Sequence, residues 1–310
     1  MKVLYLIMGA RNDLASRNIK SIFSNLFVPF QETYKGNNEF LFMFYDGGYD
    51  KEDIVDGNHI MTESNDDING TFEKTIEALR MIDERNIHYD WLIRTNISQI
   101  INLPLFDEVL PTLESDKVYS QKNNVVVTEG KWKNNLYSRG DMFIMSWTTV
   151  HDILSVSQNF FGKPTEGLDH VDDVLLGMCL ALTDKKYFKR LRILRYVYCP
   201  FSYDETKTFF GHDPGSDLTR TLGVRLKTSP PQTLSGWSWD DNVWRQEDTK
   251  KIEYCSKYLL KIWSDDKPKR TIEDLYEEKD KIAPLEWTDK KGNKQALNVR
   301  EICRRLEFGF

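Results

Sequence analysis

Three apolar runs do most to limit what this chain can become: KVLYLIM at 2–8, FLFMFYDGG at 40–48 and WLIRTNIS at 91–98. Each is short, rich in β-branched and aromatic residues, and free of polar alternation. That is the pattern of strands buried on both faces. Between them lie segments of helical spacing, one through Ile19, Ile22, Phe23 and Leu26, the other through Phe72, Ile76, Leu79 and Ile82. Strand, helix, strand, helix, strand at this rhythm predicts an α/β fold with a mostly parallel sheet. Ligands of such sheets sit outside the carboxyl ends of the strands, so Arg11, Asp46 and residues 94–98 should border one crevice.

After residue 116 the rhythm changes. KVYSQ (117–121), NVVVTEG (124–130) and MFIMSW (142–147) read as short strands, and residues 150–156 begin a helix. Asp172–Thr183 reads as a helix with Leu175, Leu176, Cys179 and Leu180 on its apolar side. The basic run KKYFKRLRILR (185–195) leads into the strand RYVYCPF. From about 203 to 246 the pattern dissolves into Gly, Pro, Ser, Thr and aromatics, the composition of a lid or binding loop. The remainder reads as helical and charged.

At 310 residues, with 40% hydrophobic and 13% aromatic content, the chain can bury a large core. The balance of 42 basic and 48 acidic residues argues against bulk attraction to nucleic acid, although a local basic patch can outweigh it. The apolar stretch at 3–8 is too short for a membrane span or a signal peptide. Cys179, Cys199, Cys255 and Cys303 show no paired spacing, so free thiols in a reducing, cytoplasmic setting are expected.

Four segments, in order, resemble the nucleotide-sugar-dependent β-1,3-glycosyltransferases that include the β-1,3-galactosyltransferases and Fringe. They are SRNIKSIF (16–23), DDINGTFEKTIEALRMI (66–82), WLIRTNISQIINL (91–103), and RGDMFIMS (139–146) followed by HVDDVLLGMCLAL (170–182). The resemblance covers roughly residues 1–200 and implies a GT-A fold: a Rossmann-like, nucleotide-sugar-binding sheet flanked by helices. It divides the chain into a catalytic domain at 1–246, with a donor half to about 115 and an acceptor half from 116, and a small, mostly helical extension at 247–310.

The resemblance implies inverting transfer of a sugar from a nucleotide-sugar donor, a UDP-sugar first, to a hydroxyl of a saccharide acceptor. The family pattern puts the base on Asp173, with Asp172 as orienter or sugar ligand; by residue type alone the pair is equally a helix N-cap. Where the family holds a metal with an acidic triplet, this chain has Asn96-Ile97-Ser98, neutral groups that bind Mg²⁺ or Mn²⁺ weakly. No divalent metal is therefore expected, and Arg94, Arg11 and Arg139 are candidate cations for the diphosphate. Arg94 could equally pair with Asp46 or Asp90. Asp46 is expected at the nucleotide ribose or base, or as a plain turn residue, and His212 at the phosphates, or simply exposed. Asn96 and Ser98 are expected to hydrogen-bond the donor. Trp237, Trp239 and Trp244 are offered as acceptor-stacking residues, or else as a satellite hydrophobic cluster.

Two other functions stay open at this point. One is glycosylation of a modified, hydroxymethylated base in DNA, as phage transferases do, served by the basic run and the Trp-rich loop. The other is a non-catalytic sugar-binding module on the same fold. With no membrane anchor in view, a bacterial or viral cytoplasmic setting is expected.

Overall fold

The computed structural model describes residues 1–11, 13–34, 36–49, 54–67, 70–120, 124–126, 136–138, 142–162, 171–183, 188–190, 195–198, 203–204, 206–207, 221–227, 242–264, 285–288 and 294–297. The first half runs β1 (Lys2–Met8), α1 (Leu14–Thr33), β2 (Glu39–Asp46), β3 (Ile54–Asp56), β4 (His59–Met61), α2 (Thr71–Glu84), β5 (Trp91–Asn96), β6 (Gln99–Ile101) and α3 (Leu103–Val109). The second half runs β7 (Val118–Ser120), β8 (Asn124–Val126), β9 (Leu136–Ser138), β10 (Met142–Ser146), α4 (Trp147–Ser157), α5 (Val171–Leu182), β11 (Phe188–Arg190), β12 (Arg195–Tyr198), β13 (Thr221–Arg225), α6 (Asn242–Ser264), β14 (Leu285–Thr288) and β15 (Lys294–Leu297).

Among the described residues, eight strands form the central sheet, in the order β11-β7-β10-β5-β1-β2-β4-β3. Its middle is parallel: β1 pairs with β2 on one side and β5 on the other, and β2 pairs with β4. β10 runs antiparallel between β5 and β7. The chain thus builds outward from β1 in one direction, then returns to add β5 on the other flank. The carboxyl ends of β1 and β5 are the topological switch point of the sheet, where ligands of such folds bind.

Period-2 alternation sends successive side chains to opposite faces. Val3, Tyr5 and Ile7 join Ile19, Phe23 and Phe27 of α1, Phe106 of α3 and Leu259 of α6 in one core layer. Leu4 and Leu6 join Ile76 and Leu79 of α2, Ile153 of α4 and Leu175 and Cys179 of α5 in the other. The sheet is therefore covered by helices on both sides, as the uninterrupted apolar runs require.

Local chemistry sets the helix starts. Asp13, Asn102 and Ser146 each accept a backbone N–H of the first turn, from Ala15, Leu105 and Thr149, and so cap α1, α3 and α4. Ser146 moves the start of α4 three residues ahead of the expected 150. The boundary drawn at 246 falls inside α6, whose Ile252, Cys255 and Leu259 belong to the main core. Of the rest of the extension, β14 and β15 pair as an antiparallel hairpin. Cys179 and Cys255 are buried and form no disulfide with each other; Cys199 and Cys303 lie outside the described residues. Among the described residues no helix is long and apolar enough to cross a membrane.

Candidate functional site

Arg94 lies on β5 opposite Leu6 of β1 and Phe143 of β10, and its side chain points to the face covered by α2, α4 and α5. It is 1% exposed. Its Nε donates to the Tyr45 hydroxyl at 3.0 Å, and an Nη donates to Asp172 Oδ2 at 2.7 Å. The same Nη lies 3.3 Å from Met8 Sδ, at the end of β1. Tyr45 in turn meets Thr75 of α2 at 2.9 Å. Burial pulls the guanidinium pKa down, but Tyr45, Asp172 and Asp173 outweigh it and hold Arg94 above its ordinary value.

This ion pair joins the two motifs that the sequence left 78 residues apart. Its partner is neither Asp46 nor Asp90. It also changes what Arg94 can do: a guanidinium this deeply buried and tied to Asp172 is a positioning group rather than a cation offered to a diphosphate. Asp172 and Asp173 both stand in the first turn of α5, where the helix dipole favours negative charge. Asp172 keeps 16% of its side chain exposed, whereas Asp173 is 4% exposed as a residue.

At the end of β5 the chain turns sharply. Ile97 N–H donates to Met8 O at 2.9 Å, and β6 leaves the central sheet to pair with β13. Asn96 Oδ1 accepts the Ser98 hydroxyl at 2.6 Å and the Ser98 backbone N–H at 3.2 Å. Asn96 Oδ1 is therefore committed to closing this turn, Ser98 Oγ donates into it, and Ser98 is buried. These residues do not fit a divalent metal.

The other wall is built on the α1 face. Asp46, at the end of β2, is 1% exposed. One of its oxygens takes Lys20 Nζ at 2.6 Å and the other lies 2.8 Å from His59 Nε2. Burial alone would raise the Asp46 pKa; His59 and Lys20 outweigh it and hold the carboxyl below its ordinary value. Both oxygens are engaged by side chains of the chain itself, so Asp46 is not presented to a ribose. Lys20 and His59, each partly exposed, are the groups at this wall. Lys20 also runs alongside Gly9, 3.8 Å from where a side chain there would begin.

Asp66 organises the loops above. It accepts the backbone N–H groups of Arg11 at 2.5 Å and Gly47 at 2.9 Å, and pairs with buried Lys74 at 2.9 Å. Lys74 also donates to Gly9 O at 3.2 Å. Gly47 fits here because a Cβ would come within 2.3 Å of Ser64 O. Arg11 donates to Gly48 O and lies 4.3 Å over the Tyr49 ring, partly exposed at the rim.

Of the expected site residues, Arg94 contacts Asp172 and Asn96 contacts Ser98, Asp173 follows Asp172 in the first turn of α5, and Arg11, Asp46 and Asn96 stand at or just beyond the carboxyl ends of β1, β2 and β5. Arg139, His212, Trp237 and Trp239 lie outside the described residues; Trp244 falls in the first turn of α6. Sequence reasoning passed over Lys20, His59, Asp66 and Lys74. Lys20 and Lys74 sit within segments quoted for the resemblance, but their helical positions alone gave no sign of a carboxylate partner.

No protein-family model and no curated protein matches this chain. Solved structures similar to it include a glycosyltransferase involved in glycosylation of the major capsid of PBCV-1, at 9% identity and a TM-score of 0.45, covering 82% of this chain and 100% of that one. The galactosyltransferase LgtC in complex with donor and acceptor sugar analogs is 12% identical, with a TM-score of 0.41, covering 82% and 96%. The glycosyltransferase GlyE of Streptococcus pneumoniae TIGR4 is 12% identical, with a TM-score of 0.35, covering 83% of this chain and 63% of that one.

Proposed function

We propose that the protein is an inverting glycosyltransferase that moves a sugar from a nucleotide-sugar donor to a hydroxyl of a saccharide acceptor without a divalent metal. The observation that carries this reading is the 2.7 Å pair of Arg94 and Asp172, which fixes a two-carboxylate helix start at the switch point of the sheet. Such a crevice, with cationic groups on one wall and carboxylates on the other, separates the two tasks of the reaction.

Arg11 and Lys20, with the Asn96 amide, hold the diphosphate and neutralise the charge that develops as it leaves. Asp172, committed to Arg94, orients the sugar. Asp173, next on the same turn, accepts the proton of the acceptor hydroxyl. The acceptor oxygen forms its bond to the anomeric carbon as the bond from that carbon to the diphosphate oxygen breaks on the opposite face. The nucleoside diphosphate departs with the electron pair, and the configuration inverts.

The test is a screen of UDP-sugars and other common nucleotide sugars for donor hydrolysis or transfer, followed by Asp173→Asn with the active donor. The variant should bind nucleoside diphosphate like the wild type and turn over about 100-fold more slowly or worse. Turnover near wild type would remove Asp173 from the reaction.

A further inference from the structure

At the opposite end of the central strands, by the amino ends of β1 and β5, lies an open surface cavity of about 570 Å³. One seven-residue strand, about 20 Å of chain, separates this end from the crevice. The cavity belongs to no part of the reaction described above. Lys2, His88, Asp90, Ser115, Trp147 and Thr148 line it.

Trp147 is the unusual member. It opens α4 but takes no part in that helix's buried face, which is Thr149, Val150, Ile153 and Ser157. It is 39% exposed and leaves one ring face open beside the cavity's polar lining. It is nevertheless held in place. Its ring lies 4.0 Å from the His151 ring, and His151 is anchored 2.9 Å from Asp83. The backbone N–H of Trp147 donates to the backbone carbonyl of Asp90 at 3.0 Å, which fixes the start of the helix. The neighbouring walls are fixed as well: Asp90 Oδ2 accepts the Lys2 backbone N–H at 2.7 Å, and Thr149 donates to Ser115 O at 3.0 Å. An aromatic plate with its orientation set before any ligand arrives loses little entropy on binding.

We propose that this cavity is a second saccharide-binding site, separate from the crevice. Its volume suits a ligand of one or two sugar rings. The indole offers a surface for the C–H face of a pyranose, and Asp90, Ser115 and Thr148 offer oxygens for its hydroxyls. Both signs of charge occur around the rim, which disfavours a strongly charged ligand such as a nucleic acid strand. The site does not depend on the glycosyltransferase reading, because it would bind a glycan whether or not the crevice is catalytic.

The test is ligand-observed saturation-transfer NMR with the methyl pyranosides of glucose, galactose and mannose, their disaccharides, and adenosine as a stacking probe without a pyranose. The full chain is compared with Trp147→Ala and with the milder Trp147→Phe, each checked for an unchanged thermal midpoint. At least one sugar should show transfer that Trp147→Ala abolishes and Trp147→Phe partly keeps. Sugar signals that survive Trp147→Ala unchanged belong to the crevice and overturn the proposal. So does Trp147-dependent transfer to adenosine alone, or no transfer at all.

Discussion

Removing either partner of the Arg94–Asp172 pair should destabilise the protein unequally, and the inequality follows from burial. Breaking a buried ion pair by deleting one partner costs about 3–5 kcal/mol, because the other charge is left uncompensated. Asp172→Asn strands a guanidinium that is 1% exposed, among Tyr45, Met8 and the Phe143 ring 5.8 Å away. Asp173 lies near enough to return part of the compensation, so a loss of about 3 kcal/mol is expected. Arg94→Met leaves a carboxylate whose side chain is 16% exposed and can turn toward water. Methionine also fills much of the vacated apolar space, so about 2 kcal/mol is expected. Once one charge is gone the other loses its reason to be there. The double variant should therefore lose about 3 kcal/mol rather than about 5, a coupling of about 2 kcal/mol. Urea unfolding at neutral pH, followed by circular dichroism, measures all four proteins. Additivity within about 0.5 kcal/mol would refute the pairing. A larger loss for Arg94→Met than for Asp172→Asn would refute the account of burial.

The wall around Asp46 gives two more expectations. Its pKa is held below the ordinary carboxylate value in the fold, so its contribution is complete above about pH 4 and is lost as pH falls through the depressed value. Asp46→Asn should be less stable than wild type at pH 7, with the gap closing in acid; a constant gap across a pH series of urea midpoints would contradict this. Lys20→Met should weaken binding of a nucleoside diphosphate about ten-fold or more by titration calorimetry. Unchanged affinity would exclude Lys20 from the donor site.

The central strands were legible because burial on both faces leaves apolar runs that no other element explains at that length. Their order also placed Arg11, Asp46 and Asn96 at the carboxyl ends of β1, β2 and β5, where the structure has them. The partners were not legible. Alternation assigns Arg94 to a face of the sheet, but not to the helix that covers the face, and Asp172 reaches it only through the packing of α5. Asp46 looked available at a strand end, yet Lys20 comes from α1 and His59 from β4, a strand the sequence reading missed. A signal for that hairpin existed in the turn between Val55 and Ile60, where Gly57 adopts φ +57°. The same limit hid α6: its charged sequence suggested an appendage, whereas Ile252, Cys255 and Leu259 complete the core against α1.

The central claim is sugar transfer with this chain's own cations in place of a metal. The most direct measurement is the rate of donor turnover in excess EDTA against the rate with Mn²⁺ added. Because Asn96 and Ser98 bond each other, the account predicts the same rate in both. A rate abolished by EDTA and restored by Mn²⁺ would contradict it.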